Sequence, residues 1–145
     1  LKKIVIVDGK KNLNEYSGAT ILVPNAKELC LSMGIKSSNE DSVLENLSKT
    51  LSKSLNCTIV IKRSAKGASI WDSTSFRTYP TSAKEVVNVS GAGDVFVAIM
   101  SLSIANGKSL DESVKFANFG CSKAIAKRHP SVSLSDFESF ESSKK

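Results

Sequence analysis

The sequence is short of most features that would place it quickly. No apolar run is long enough to span a membrane, and no charged-then-apolar signal segment is present in the 145 residues. Aromatic residues make up 6% of the chain. They do not interleave with the basic residues, which argues against a stacking platform for single-stranded nucleic acid. Cysteine is limited to Cys30, Cys57 and Cys121. An odd number at wide spacing, each in an apolar setting, reads as reduced core thiols of a cytosolic protein rather than a disulfide framework or metal site. Glycine and proline are too sparse to mark a domain boundary, and no repeat or low-complexity linker occurs. Neither a Walker A loop nor a GxGxxG fingerprint is present.

The length suits one domain with a sizeable core. Net charge is +6, but the lysines are scattered, and only Lys62, Arg63 and Lys66 cluster away from the ends. Such charge suits a phosphorylated small molecule, and a solvated surface equally well. The opening Leu1-Lys2-Lys3-Ile4-Val5-Ile6-Val7-Asp8 runs directly into a strand, as in the middle of a larger protein.

The most informative stretch is Val89-Ser90-Gly91-Ala92-Gly93-Asp94-Val95-Phe96. Three small residues precede an apolar run in which Val95, Phe96, Ile99, Met100 and Ile104 recur at helical spacing. A helix N-terminus presents unpaired N–H groups and partial positive charge, and small residues let an anion approach them. Asp94 falls in the first turn. There it would repel a resting phosphate, but it suits a base that takes a proton from an attacking hydroxyl. Helix packing alone explains the same small residues, and complementing the helix dipole alone explains the acid.

Taken in order, Ile4–Val7 predicts a strand buried on both faces of a parallel sheet, ending at Asp8-Gly9-Lys10. An acid there points into a crevice or simply makes a turn. Thr20–Val23 predicts a second buried strand stopped by Pro24. Asn25 caps a short helix over Ala26–Met33, ended by Gly34. Ser38-Asn39-Glu40-Asp41 opens a helix with Val43, Leu44, Leu47, Leu51 and Leu55 on one face. Cys57–Ile61 is a strand, Ser64–Gly67 a hairpin turn and Ala68–Trp71 the returning strand. Phe76–Tyr79 and Glu85–Val89 are further strand candidates. The helix after Asp94 stops at Asn106-Gly107. Ser109 and Glu112 form a capping box for a helix ending near Arg128, before Pro130. Ser135-Asp136-Phe137-Glu138 caps a last short helix. This order reads as α/β layers.

Two motifs then stand in a fixed order: Asn25-Ala26-Lys27-Glu28, an Asn-x-x-Glu, and Gly91-Ala92-Gly93-Asp94 before a helix. Together they resemble the ribokinase-like carbohydrate kinases, the phosphofructokinase B family. The run Tyr16–Asn25, the Asp-x-Lys of Asp8 and Lys10, and the Arg63-Ser64-x-x-Gly67 turn resemble that family's heptose 7-phosphate kinase branch. The resemblance extends from about Val5 to Phe137 and implies the carboxyl-terminal half of a ribokinase-like three-layer sandwich. The family's sugar pocket and small β lid belong to the other half.

The resemblance implies roles residue by residue. Asp94 is the general base, and Gly91, Ala92 and Gly93 are the anion hole for the transferred phosphoryl group. Asn25 and Glu28 act on magnesium through water, although the same pair is also a plain helix cap. Lys62, Ser64 and Gly67 lie by the nucleotide phosphates, and Ala117, Asn118 and Cys121 by the adenine, unless these three serve only helix packing. Asn88 stands where the family has an Asp near a monovalent cation, so it keeps an oxygen and loses the charge. Lys62 replaces the family's Thr, and either neutralises phosphate or points to solvent. His129, beside Pro130, reads as a surface residue. The implied activity is ATP- and magnesium-dependent phosphorylation of a sugar phosphate, heptose 7-phosphate, at its anomeric hydroxyl, in the cytoplasm, feeding lipopolysaccharide assembly. The implied partners are nucleotide, sugar phosphate and the other half of the kinase. Self-association through uncovered apolar surface is also expected. The competing reading is an inactive remnant that at most binds nucleotide. Neither nucleic acid nor a membrane is an expected partner.

Overall fold

A computed structural model describes residues 3–81, 89–127, 131–133 and 135–138. The chain separates into two compact units. One comprises Leu1–Ser64 with Ala68–Thr78, the other Ala65–Gly67 with Tyr79–Lys145.

The first unit is built on a mixed sheet of β1 (Ile6–Val7), β2 (Ile21–Leu22), β3 (Thr58–Lys62), β4 (Ala68–Trp71) and β5 (Phe76–Tyr79, whose last residue is counted with the second unit), neighbours in that order. β1, β2 and β3 run parallel, Ile6 opposite Ile21 and Leu22 opposite Ile59, while β4 returns antiparallel to β3. Within the predicted hairpin turn Ser64–Gly67, residues Ser64–Lys66 form a 3₁₀ turn. Ser64 enters it with φ +52° and Gly67 leaves it with φ +83°.

Two helices belong to this unit, α1 (Ala26–Ser32) and α2 (Asp41–Leu55). Leu44, Leu47 and Leu51 of α2 pack with Leu22, Leu29, Ile59 and Ile61 in one apolar core, because their three- and four-residue spacing keeps them on one face. α2 opens within the predicted Ser38–Asp41 stretch, with Glu40 as its N-cap residue, and the Asn39 side chain accepts from Arg63.

The first strand departs from its reading. Ile4 is 57% and Val5 44% exposed. Ile6 and Val7 are only half-buried, so the run is not a strand buried on both faces.

The second unit holds α3 (Ala92–Ala105) and α4 (Leu110–Ile125). They pack as a pair, with Phe96, Met100, Val114, Ala117 and Ala124 buried. A capping box joins Ser109 and Glu112, as the sequence indicates. Residues 135–138 are helical. There the Ser133 amide and hydroxyl both donate to Asp136 Oδ2, which also pairs with Lys127 at 2.7 Å. The strand predicted at Glu85–Val89 lies outside the described residues but for Val89, as do Asn88, Arg128, His129 and Pro130.

Candidate functional site

In the second unit, the Gly91-Ala92-Gly93 turn opens the 14-residue helix α3 at the protein surface. Gly91 is the N-cap residue with φ +76°, a left-handed conformation that favours glycine. A Cβ at Gly91 would meet nothing within 4 Å, so the glycine is required by the turn and not by crowding. The Ala92 amide is folded back onto Val89 O (3.2 Å), and the first helical bond runs from Val95 N to Gly91 O (3.0 Å). The amides of Gly93 and Asp94 lie between these two, at the positive end of the helix. Gly91 and Asp94 are exposed, and Ala92 and Gly93 half-buried.

The residues expected near the adenine take different positions on α4. Ala117 is fully buried against the helix pair, and Asn118 is 6% exposed. The Asn118 amide nitrogen donates to Tyr79 O at 2.8 Å. Cys121 is half-buried rather than a core thiol, and its Sγ donates from α4 to Ala92 O of α3 at 3.1 Å. Cys30 and Cys57 are buried, as expected, and burial pushes the Cys57 thiol pKa up.

Tyr79 was not singled out by sequence. Its hydroxyl donates to Asp111 and Lys115 Nζ sits 5.1 Å from its ring centre. Gly67, buried, lies so close that an added Cβ would fall 2.1 Å from Tyr79 O.

In the first unit, the ends of three parallel strands gather another set of residues. Asn25 forms a complete capping box: its Oδ1 accepts from Glu28 N and Glu28 Oε2 accepts from Asn25 N, both at 2.7 Å. Asn25 also bridges in parallel to Lys62, the last residue of β3. Lys62 Nζ is paired with Asp8 Oδ1 at 2.5 Å.

Among the described residues no group of three His, Cys, Asp or Glu could hold a metal directly. Asn25 and Glu28 are half-buried and supply oxygen donors only. That chemistry fits magnesium, which keeps most of its waters.

The basic cluster resolves into three separate cases. Lys66 is exposed and Lys62 is paired. Arg63 is fully buried. Its guanidinium donates to Asn39 Oδ1 (2.8 Å), Asn39 O (2.6 Å), Ser69 Oγ (2.9 Å) and Thr78 Oγ1 (3.3 Å), and it pairs with Asp41 at 2.7 Å. The sequence marks this arginine as part of the turn but not as buried, because Asn39 and Thr78 reach it from other segments of the chain.

Residues 7–136 match the family described as pfkB family carbohydrate kinase. The chain belongs to the pfkB family of carbohydrate kinases. Among curated pfkB relatives, it is 39% identical over 142 residues to the "Bifunctional protein HldE" of Sulfurimonas denitrificans, covering 96% of this chain and 29% of that protein. The protein of the same name from Helicobacter hepaticus is 35% identical over 127 residues, 86% of this chain and 26% of that one. The chain therefore spans under a third of these relatives. Solved structures share the ribokinase-like pfkB fold. A ribokinase from Thermotoga maritima superposes with a TM-score of 0.81 at 22% identity, covering 98% of this chain and 50% of that one. Phosphofructokinase-2 from Escherichia coli, in complex with substrates and products, gives 0.81 at 23% identity, covering 97% and 47%. No described helix is long and apolar enough to cross a membrane.

Proposed function

We propose that this chain is the nucleotide-binding half of an ATP-dependent kinase that phosphorylates heptose 7-phosphate at its anomeric hydroxyl. One observation carries the reading. In a pfkB-family chain, a surface glycine turn opens α3, and an exposed acid, Asp94, stands in its first turn. The heptose substrate is supported by the HldE relatives and by the resemblance of Tyr16–Asn25 to the heptose kinase branch.

In this reading Asp94 takes the proton from the attacking sugar hydroxyl. The Gly91–Gly93 turn stabilises charge that develops on the transferred phosphoryl group, with Gly93 the best placed amide because Ala92 is committed to Val89. Magnesium neutralises phosphate charge when bound, and Asn25 with Glu28 would orient its waters. Lys62, Ser64 and Gly67 border the phosphates. On α4, Cys121 has surface to offer the adenine, while Ala117 and Asn118 support that surface from beneath. Asn88 remains the candidate oxygen for a monovalent cation. The setting is cytoplasmic, and the sugar pocket belongs to the length that the relatives carry beyond the chain's match.

A second reading has its own support. The chain covers 50% of the Thermotoga ribokinase and 47% of phosphofructokinase-2. On that reading the 145 residues alone bind nucleotide without turnover.

Calorimetry with magnesium-ADP tests the shared element: the chain binds, and Asp94→Asn binds with similar affinity. An ADP-release assay with heptose 7-phosphate then separates the readings. The 145 residues alone are expected to be silent. In a polypeptide carrying both halves, Asp94→Asn lowers kcat by roughly 10²–10⁴-fold. Absence of nucleotide binding, or an unchanged kcat in that variant, overturns the proposal.

A further inference from the structure

Asp8, Asn25 and Lys62 stand at the carboxyl ends of three adjacent parallel strands. The backbone of Lys62 is fixed by its N–H bond to Pro24 O at 2.9 Å. Its side chain is fixed by Asp8 Oδ1 at 2.5 Å, with the two side chains only 16% and 23% exposed. Lys62 is thus neither a solvated surface lysine nor a free cation at the strand ends. It is a cation already neutralised by a residue remote in sequence.

We infer that Asp8 is a positioning residue that keeps Lys62 neutralised and thereby sets a preference for metal-loaded over metal-free nucleotide. The inference rests on the proposed placement of Lys62 beside the nucleotide phosphates. An approaching polyphosphate meets a pair with no net charge, so a metal-free phosphate chain gains little from this lysine. A magnesium-bound chain, with most of its charge already cancelled, loses little by the arrangement. Removing the Asp8 charge adds one net positive charge at the strand ends. The response to that charge scales with the charge of the ligand. Metal-free ADP carries about three negative charges and magnesium-ADP about one, so the logarithm of the affinity change should differ about threefold between them.

The test measures ADP affinity by calorimetry in chelator and in excess magnesium, for the wild-type chain, Asp8→Asn, Lys62→Met and the double variant. Asp8→Asn should tighten metal-free ADP about tenfold and magnesium-ADP about twofold, the size of a freed charge-assisted bond. Lys62→Met leaves the Asp8 carboxylate alone beside the phosphates, and should weaken metal-free ADP more than magnesium-ADP. The double variant should return the ratio of the two affinities to near its wild-type value. A merely structural pair would shift both forms of the nucleotide equally. Equal shifts, or no shift, in both single variants overturn this inference while the nucleotide site stands. A wild-type chain that binds neither form overturns the functional reading as well. Should Asp8→Asn not fold, Lys62→Met alone still gives the diagnostic ratio.

Discussion

Asn118 of α4 donates its side-chain amide to the main-chain carbonyl of Tyr79 at 2.8 Å, and Gly67 packs against that same carbonyl. The contact joins the residue ending the 3₁₀ turn to the helix after the candidate base. A nearly buried amide with a partner of this kind is occupied in holding backbone. Asn118 therefore acts by fixing where the chain passes Gly67.

The two site glycines should respond differently to substitution. Gly67→Ala places a Cβ 2.1 Å from Tyr79 O and 2.7 Å from Pro80 C, at φ +83°. Backbone must move, so a loss above about 2 kcal/mol is expected. Gly91→Ala meets open space at φ +76°, and costs only the left-handed conformation, about 1–2 kcal/mol. Urea unfolding of both variants checks the order, and equal losses would contradict the crowding at Gly67.

Arg63 is expected to be the costliest polar side chain to remove. Arg63→Ala strips Ser69, Thr78 and Asn39 of a shared donor and opens a cavity, for a loss of about 3–5 kcal/mol. Arg63→Lys keeps the charge but not the fork, and should recover only part of this. A thermal melt of Arg63→Lys matching the wild type would show that the guanidinium geometry is immaterial.

Asp72 gives the fold an acid-sensitive point. Its Oδ1 accepts from the Thr74 hydroxyl and from the Thr74 and Ser75 amides, and its Oδ2 from Arg77. The Thr74 hydroxyl bond is the largest cause that holds this carboxyl well below its usual range. A lowered folded value means that the stabilisation is present above the unfolded pKa of about 3.9, and is lost as pH falls through the folded value. Asp72→Asn should flatten the fall in stability below about pH 4 relative to wild type. Part exposure of the Asp72–Arg77 pair keeps the effect modest. Parallel denaturation curves at pH 3 and pH 7 would contradict it.

The thiols should separate by reactivity. Cys57 is buried with a raised pKa, so little thiolate forms at neutral pH. Cys121 is half-buried. Native-state alkylation followed by mass spectrometry should label Cys121 first and leave Cys57 unmodified until unfolding. Labelling of Cys57 at the Cys121 rate would contradict the burial.

What could be read directly from residue order was whatever is decided within a few positions. The Asn25–Glu28 and Ser109–Glu112 boxes form because a side chain three residues along reaches the open amides of its own helix. The apolar face of α2 follows from helical spacing, and the β3–β4 hairpin from the turn chemistry around Gly67. The Gly91–Asp94 turn is equally local, and so its place at the start of α3 and its first-turn acid were foreseeable.

Tertiary structure alone settled the fate of the charges and of the marginal apolar residues. Lys62 and Arg63 are neighbours in sequence, yet their side chains find different partners. One side chain reaches Asp8 and the other Asn39, Asp41, Ser69 and Thr78. Cys121 finds Ala92, and Ile4 and Val5 stay exposed beside β1. Each outcome depends on which distant segment arrives to pair, cover or neutralise the group. Local spacing and residue type carry no information about that arrival.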